Sequence, residues 1–532
     1  MTTATLAAPD GSSASRLSIA AIVAGITCAS LANALAAASR LAQTSDSANS
    51  FVVGHAIAGG NILLSGWHFP FNDYYFTDAM PYGLLEWLCG PRPFLLVFVP
   101  AVTYALFVFA ALLVSLERGK SRSEYLASAA VIALLLGAPA WTGQWNPQLL
   151  SDMHMATVLG AFLGLILCAR IVDATRAQFA AFAGVVIITG AVTASDPFAL
   201  VFAFGPAFAV LLGEAAASRG SCGVWRALLL LATGIFAGFL LPLAIARGGG
   251  FSTESDVLLQ PESPPLLVRN LVAVVMGTLA LSGANPLRAE IGPYGLLLLV
   301  LRGVGFVPAA AAVVGVARRA FQRGHAGLLD RILCVAIGTV LAACVLSSQF
   351  AKGITPQNLW TGGPPMRYLV PIYLFAAVLA GRQAPGILSA MPGRWARTGI
   401  TACAAILVIG DYWIAGLDRQ PVWAANNPPA AAARWLKQHG LSEGVGEYWS
   451  ANLVTAISGD SIRVRSVIPD SGRLVPYVWV EDARSYARVP QFVIWQDNNK
   501  TNLVADEVHA TYRVDRIVTV ADYRIALLDS RR

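Results

Sequence analysis

Repeated apolar stretches long enough to cross a bilayer are the feature that most constrains this chain. A membrane-spanning helix needs about 20 mostly apolar residues. About eleven segments meet that need: 17–39, 94–115, 124–141, 155–172, 178–194, 197–214, 226–246, 293–316, 332–348, 367–381 and 398–416. Only 13% of the 532 residues are charged, whereas a water-soluble domain carries about 25%. The sequence therefore predicts a polytopic α-helical membrane protein and excludes a water-soluble globule.

The distribution of cations between the short loops predicts how the chain sits in the inner (plasma) membrane. Arg and Lys cluster in every second loop, as at residues 118–122 and 318–331, and loops of that kind face the cytoplasm. The alternation holds only if the apolar segment 266–284 is an interfacial or re-entrant helix. The N-terminus is then cytoplasmic, whereas the first long loop, 40–93, is extracytoplasmic. Because these inner cations account for most of the net charge of +7, the charge does not indicate a nucleic-acid partner.

The chain changes character near residue 417, where charged residues become frequent and apolar runs shorten to strand length. We expect residues 1–416 to form the transmembrane domain and residues 417–532 to form a small extracytoplasmic α/β domain. Ala430 to His439 is typical of a helix, and Gly440 follows it at the position that favours glycine. Five short apolar runs after that helix are typical of strands.

Acidic residues concentrate in the first long loop, which contains Asp46, Asp73, Asp78 and Glu86. An enzyme that works at a membrane surface could keep its carboxylates there. Asp46 could instead cap the helix that follows it. Asp73 and Asp78 lie in an aromatic-rich stretch that could anchor the loop at the membrane interface, since Trp and Tyr favour that region.

Two segments carry a resemblance to a known family. Residues 46–61, DSANSFVVGHAIAGGN, place an acid shortly after the first span and continue into an amphipathic helix that ends in glycines, and residues 367–371, RYLVP, begin a late span. Both resemble the GT-C glycosyltransferases, which include the protein O-mannosyltransferases and the aminoarabinose transferases of lipid A. The resemblance covers the architecture of the whole chain and implies a GT-C-like fold.

The resemblance also implies an activity. Enzymes of this group move a sugar from a polyprenyl-phosphate donor in the membrane lipid to an extracytoplasmic acceptor, which is a lipid, a glycan or a protein. The paired acids usual in the first loop are absent here, because Ser47 follows Asp46. We therefore assign no metal ligand and no certain cofactor, although a divalent metal is compatible with the family.

Such a reaction needs a carboxylate within reach of the acceptor hydroxyl. Asp46 matches the position of the family's loop acid and is the predicted base or acceptor-positioning acid. Asp78 is the second candidate for catalysis, and Asp73 is a predicted substrate contact.

The phosphate that leaves needs a cation near the outer face. Arg367 begins a span there, and Arg302 lies about 13 Å into another span, so both are predicted phosphate contacts. Arg302 could instead pair with a buried acid or extend toward the interface. His154 and Asp196 are further predicted substrate contacts, although a hydrogen bond at a helix start explains His154 and an N-cap before Pro197 explains Asp196.

The sequence leaves two other functions open. One is a transporter or flippase of a lipid-linked saccharide, although transporters commonly contain internal repeats and the sequence shows none. The other is a non-enzymatic scaffold of envelope assembly, whose C-terminal tail recruits a partner. Aromatic residues in that tail could be sugar platforms or ordinary core residues: Tyr448, Trp449, Trp479, Tyr486 and Trp495.

Overall fold

The structure of the protein is a computed structural model. It describes residues 13–117, 121–139, 146–173, 179–217, 221–254, 261, 263–287, 293–322, 326–355, 358–360, 363–390, 394–416, 424, 427–496 and 503–529. Two parts of the predicted cytoplasmic clusters, residues 118–120 and 323–325, lie outside these ranges.

The described residues between 13 and 416 fold mostly into helices. These are α1 Ser13–Ala38, α2 Ser45–Ala58, α3 Met80–Cys89, α4 Leu95–Leu116, α5 Arg122–Leu136, α6 Met155–Asp173, α7 Phe179–Ser195, α8 Gly205–Ala217, α9 Cys222–Arg247, α10 Pro264–Ser282, α11 Pro293–Phe321, α12 Leu328–Leu346, α13 Ser348–Lys352, α14 Val370–Ala390 and α15 Arg394–Gly416. Each predicted span coincides with one of them, namely α1, α4 to α9, α11, α12, α14 and α15. Among the described residues, eight helices are long and apolar enough to cross a membrane. The chain is a multi-pass membrane protein.

Small residues let two of the membrane helices approach closely. A Cβ atom built on Gly234 of α9 would lie 2.7 Å from the Cβ of Thr189 of α7, and one built on Gly238 would lie 2.6 Å from the Cβ of Thr193. Glycine at such positions allows the dense packing that holds helices together where no water drives them to associate.

α10 contacts the predicted outer side near both of its ends. Near its start, the Asn270 amide donates to the carbonyl of Val345, at the outer end of α12, over 3.0 Å. Near its end, the amide of Gln148, from the loop between α5 and α6, donates to the carbonyl of Leu281 over 3.2 Å. On the orientation predicted from the loop cations, α10 thus has both ends near one face, as an interfacial helix does. This arrangement supports the interfacial alternative for residues 266–284.

The C-terminal part is an α/β domain, as the sequence predicts. Its elements are α16 Pro428–Gln438, β3 Glu443–Glu447, α17 Tyr448–Ile457, β4 Arg463–Asp470, β5 Arg473–Pro476, β6 Glu481–Asp482, β7 Phe492–Gln496, α18 Ala505–Thr511, β8 Val514–Val520 and β9 Tyr523–Leu528. The main sheet has the order β5-β4-β3-β7-β9-β8. β3 is parallel to both of its neighbours, and the other pairs are antiparallel. The aliphatic residues of β3 and β7 are buried at its centre.

A small second sheet joins this domain to the first outer loop. β1, Trp67–Phe69, lies in that loop and β2, Ser252–Thr253, follows α9. β1 pairs with β2 on one side and with β6 of the C-terminal domain on the other. α17 also packs against α2, where the Asn452 amide donates to the side-chain oxygen of Asn49 over 2.8 Å.

A charged clamp made of His55, Glu86 and Asp460 reinforces the same junction. The Nδ1 atom of His55, on α2, lies 3.1 Å from Oε2 of Glu86 on α3. Its Nε2 atom lies 3.0 Å from Oδ2 of Asp460, in the turn between α17 and β4. The clamp thus connects three segments, and one of them belongs to the C-terminal domain.

Candidate active site

Asp46 is in the first turn of α2 but does not cap the helix. Thr44 is the cap: its Oγ1 accepts from the backbone N–H of Ser47, and the Ser47 hydroxyl accepts from the backbone N–H of Thr44 in return. The cap alternative for Asp46 is therefore wrong. Its carboxylate instead accepts a 2.6 Å hydrogen bond from the hydroxyl of Tyr448, at the start of α17.

A cavity of about 400 Å³ lies between the first outer loop and the C-terminal domain, and we call it the acidic cavity. The transmembrane part contributes Asp46, Asn49, Ser50, Val53, Phe69, Pro70, Asn72, Asp73, Tyr74, Asp152 and Arg367. The C-terminal domain contributes Tyr448, Trp449, Ile468, Tyr477, Trp479 and Val480. Three predicted site residues, Asp46, Asp73 and Arg367, thus converge although they are distant in sequence.

Asp152 is a member of the acidic cavity that the sequence analysis missed. Its Oδ1 accepts a 2.5 Å hydrogen bond from the hydroxyl of Ser50, and its backbone N–H lies 3.4 Å from Oδ1 of Asp78. Burial, and then the charge of Asp78, raise the pKa of Asp152 well above its usual value. A protonated Asp152 can donate a hydrogen bond to a substrate.

Asp78, the second predicted catalytic acid, is not among the residues that line the acidic cavity. It is buried beneath Asp152 and accepts a hydrogen bond from the Thr77 hydroxyl over 2.9 Å. Burial raises the pKa of Asp78 to about 6. Asp73 does line the cavity, and burial also raises the pKa of Asp73. One of its oxygens accepts from the backbone N–H of Tyr75 over 2.9 Å, which fixes the local turn.

Three residues that line the acidic cavity, together with the nearby His154, have left-handed backbone conformations that non-glycine residues rarely adopt. The φ angles are 51° at Tyr74, 58° at Asp152, 51° at Val480 and 68° at His154. Each such residue costs about 1–3 kcal/mol and persists only where its surroundings hold it. Tyr74 is held by a 3.0 Å bond from its N–H to the carbonyl of Ser195. Strain concentrated in this way is typical of functional sites.

A second cavity of about 340 Å³ adjoins the first at Asn72, and we call it the apolar cavity. His154 and Asp196 line it, and its other residues are mostly apolar side chains of the helices around it. The Nδ1 atom of His154 lies 2.6 Å from the Asp196 carboxylate and 3.2 Å from the hydroxyl of Tyr74. Its buried Nε2 atom has no hydrogen-bond partner among the described residues.

Asp196 takes the capping role considered for it in the sequence, and its role as a substrate contact stays a prediction. Its Oδ1 accepts from the backbone N–H of Phe198 over 3.2 Å, as a residue at a helix start does. Its Oδ2 contacts the ring of His154 within the apolar cavity.

The two predicted phosphate contacts have different environments. Arg367 lines the acidic cavity, donates to the Tyr368 hydroxyl over 3.0 Å and has a buried Nε without a hydrogen-bond partner among the described residues. Arg302 lines neither cavity. Its guanidinium donates to the carbonyls of Ala138, Pro139 and Ser282 over 3.2–3.4 Å. The structure therefore brings only Arg367 to the predicted acids.

The acids of the site do not form an evident metal centre. Within the described ranges, no group of three or more His, Cys, Asp or Glu side chains is arranged to hold a metal ion. We therefore derive no step through a divalent metal.

Comparison with solved structures shows that the chain has the GT-C fold that the sequence predicts. The structures it resembles include those of ArnT from Cupriavidus metallidurans, an aminoarabinose transferase. The ArnT structure bound to undecaprenyl phosphate is 10% identical, has a TM-score of 0.53, and covers 98% of this chain and 99% of that one. The apo structure is also 10% identical, has a TM-score of 0.55, and covers 97% and 98%.

A more distant similarity links the chain to the oligosaccharyltransferase of Archaeoglobus fulgidus. The identity is 13%, the TM-score is 0.46, and the match covers 90% of this chain and 69% of that one. This similarity is too low for an argument about the fold. No protein-family model matches the sequence, and a search of curated proteins finds no match.

Proposed function

We propose that this protein is a membrane glycosyltransferase that moves a sugar from a polyprenyl-phosphate donor to a hydroxyl of an extracytoplasmic acceptor. The observation that carries the proposal is the convergence of Asp46 and Arg367 on one cavity. The buried Nε of Arg367 has no partner among the described residues, and such a donor favours an anionic ligand. The bound undecaprenyl phosphate of ArnT supports a lipid phosphate as that ligand.

The chemistry needs one base and one anion site. The carboxylate of Asp46 accepts the proton of the acceptor hydroxyl, and the acceptor oxygen forms a bond to the anomeric carbon of the donor sugar. The bond between that carbon and the phosphate oxygen breaks, and its electron pair stays on the polyprenyl phosphate. The guanidinium of Arg367 stabilises the negative charge that develops there.

The surroundings of Asp46 suit it to this role. The Tyr448 hydroxyl binds one of its oxygens, which fixes the orientation of the carboxylate and leaves the other oxygen for the acceptor. A positioned base typically contributes 10²- to 10⁴-fold to a rate. The membrane orientation predicted from the loop cations puts the acidic cavity on the outer face, within reach of the head group of a lipid-linked donor.

The test is transfer of labelled sugar from a panel of polyprenyl-phosphate donors, with the full chain in native membranes. Asp46→Asn keeps the size of the side chain and an oxygen for Tyr448, so we expect normal folding and a loss of turnover on the order of 10²-fold or more. Asp515→Asn, at an exposed position of β8, is the matched control and keeps full activity.

Other outcomes would redirect or overturn the proposal. Full activity in Asp46→Asn would exclude that residue as the base and make Asp78 the next candidate. If no donor supports turnover while labelled polyprenyl phosphate still binds, the protein is not a transferase and the transporter hypothesis is favoured. If Arg367→Met binds the lipid phosphate as tightly as the unmodified chain, Arg367 is not the phosphate contact.

A further inference from the structure

Four aromatic residues of the C-terminal domain form one side of the acidic cavity: Tyr448, Trp449, Tyr477 and Trp479. We call this set the aromatic wall. Its rings meet at steep angles, with Tyr448 at 80° to Trp449 and 86° to Tyr477, and Tyr477 at 50° to Trp479. The centroid distances are 5.2–5.9 Å. These pairs are edge-to-face or tilted rather than stacked, and Trp449, Tyr477 and Trp479 are only partly buried, so their side chains keep surface that a ligand can contact.

The aromatic wall is held rigidly against the transmembrane part. Next to Trp479, the backbone N–H of Val480 donates to the carbonyl of His68 over 2.7 Å. The backbone N–H of Tyr477 donates to the carbonyl of Ser466, on β4, over 2.9 Å. A preorganised surface of this kind binds a ligand without a large entropic cost of ordering side chains.

The charged residues that line the acidic cavity restrict the charge of the ligand that can bind there. The C-terminal domain contributes only aromatic and aliphatic side chains to the described lining, while the transmembrane part contributes Asp46, Asp73 and Asp152. Arg367 is the one cation on the described lining, and the proposed donor phosphate occupies it. A second anionic group would lie near the Asp46 carboxylate and would find no other cation on the described lining, and such an arrangement selects against anionic ligands.

The position of the aromatic wall assigns it to the acceptor. The proposed donor enters from the membrane side, where Arg367 precedes α14, whereas the wall belongs to the domain outside the membrane. Tyr448 links the wall directly to the base through its 2.6 Å bond to Asp46. A ring that packs on Tyr477 and Trp479 therefore presents its hydroxyls toward that carboxylate.

We propose, on the basis of the proposed function, that the acceptor is a neutral saccharide whose sugar ring packs on the aromatic wall. The C–H groups on the face of a sugar ring are apolar and suit an aromatic face, while its hydroxyls suit the polar tips of Tyr and Trp and the facing carboxyl groups. Asn49 and Asn72, which also line the cavity, add uncharged donors and acceptors for those hydroxyls.

The experiment measures acceptor KM, kcat and donor binding separately, with neutral oligosaccharides and carboxylated oligosaccharides of similar length as acceptors. In Trp479→Ala we expect the KM for neutral acceptors to rise roughly tenfold, which corresponds to about 1.4 kcal/mol. kcat and the affinity for labelled polyprenyl phosphate stay unchanged, and Trp479→Phe recovers most of the loss. Trp225→Phe, at an exposed position of α9, is the control without effect.

Two outcomes would overturn the inference, and a third would separate it from the proposed function. If Trp479→Ala weakens donor binding and leaves the acceptor KM unchanged, the wall holds the donor. If carboxylated acceptors are used better than neutral ones, the charge argument is wrong. If the unmodified chain transfers no sugar, the proposed function fails, and quenching of tryptophan fluorescence then tests the aromatic wall alone. Quenching by neutral oligosaccharides that is lost in Trp479→Ala would show that the saccharide site exists. Absence of quenching in the unmodified chain would show that it does not.

Discussion

The clamp at His55 predicts that docking of the C-terminal domain depends on pH. The hydrogen bonds to Asp460 and then to Glu86 raise the pKa of His55 from 6.5 to about 9. The charged histidine therefore stabilises the folded protein fully below about pH 6.5, and this stabilisation is lost as the pH rises through about 9. The other charged group at the clamp, Arg463, pairs with Asp460 over 3.0 Å and keeps its charge over this range.

The magnitude follows from the pKa shift. One pKa unit corresponds to about 1.4 kcal/mol, so the shift at His55 corresponds to about 3 kcal/mol. Because 31% of the side chain is exposed, solvent screening reduces the expected contribution to about 2 kcal/mol. His55→Gln removes the titrating group and keeps a side chain that can still donate one hydrogen bond.

The assay is the thermal midpoint of the purified full chain and of His55→Gln, followed by tryptophan fluorescence from pH 7 to pH 10. We expect the variant to melt several degrees lower at pH 7, and the difference to disappear by pH 10. Subtracting the two midpoints at each pH removes the titration of Lys and Tyr, which both proteins share. His509→Gln, at an exposed position of α18, is the control without a pH-dependent difference. A difference that stays constant from pH 7 to pH 10 would refute the assignment of a charged His55.

Three further variants test the packing of the outer loop and of the membrane domain. Because burial raises the pKa of Asp78 to about 6, the stability of the folded protein falls as the pH rises from about 4 through 6. Asp78→Asn should therefore raise the free energy of unfolding by up to about 3 kcal/mol at pH 8 and leave it unchanged below pH 4. Equal thermal midpoints of the two proteins at pH 8 would contradict this. A Cβ at Gly54 would lie 2.5 Å from the Cβ of Tyr82, so Gly54→Ala should lower the free energy of unfolding by about 1–3 kcal/mol. Gly25 has open space around it, so Gly25→Ala is the control and should keep the thermal midpoint of the unmodified chain. Arg302→Lys should lower the thermal midpoint, because it weakens three hydrogen bonds to backbone carbonyls and so costs about 1–3 kcal/mol of stability. The binding of labelled polyprenyl phosphate should stay unchanged. Weaker lipid binding would show that Arg302 contacts the phosphate after all.

The sequence predicted the helices well, because a long apolar segment in a bilayer must form a helix to satisfy the hydrogen bonds of its own backbone. Five strands of the C-terminal domain, β3, β4, β7, β8 and β9, followed from its five short apolar runs, whereas β5, β6 and α18 were not predicted. The convergence of Asp46 and Arg367 rested on the resemblance, since nothing in their spacing requires them to meet.

Other parts of the site depend on tertiary contacts that a sequence does not encode locally. Asp152 meets Ser50 across 102 positions, and its left-handed backbone is imposed by its surroundings. The packing of Tyr448, Tyr477 and Trp479 against the first loop could not be distinguished from a domain core, because both need buried aromatic rings. For Arg302 the sequence predicted a ligand contact, because a charge inside a span usually has a functional partner. In the structure its guanidinium instead donates to backbone carbonyls.

The bond between Tyr448 and Asp46 joins residues 402 positions apart, and this has a consequence for biosynthesis. The ribosome completes the first loop long before it makes the C-terminal domain, so a nascent chain already inserted in the bilayer holds only half of the acidic cavity. The cavity closes only after the last domain has been made and has folded against the loop. On the proposed function and the predicted orientation, a newly made protein is inert until that domain has been translocated, and a chain cut short after α15 stays so permanently.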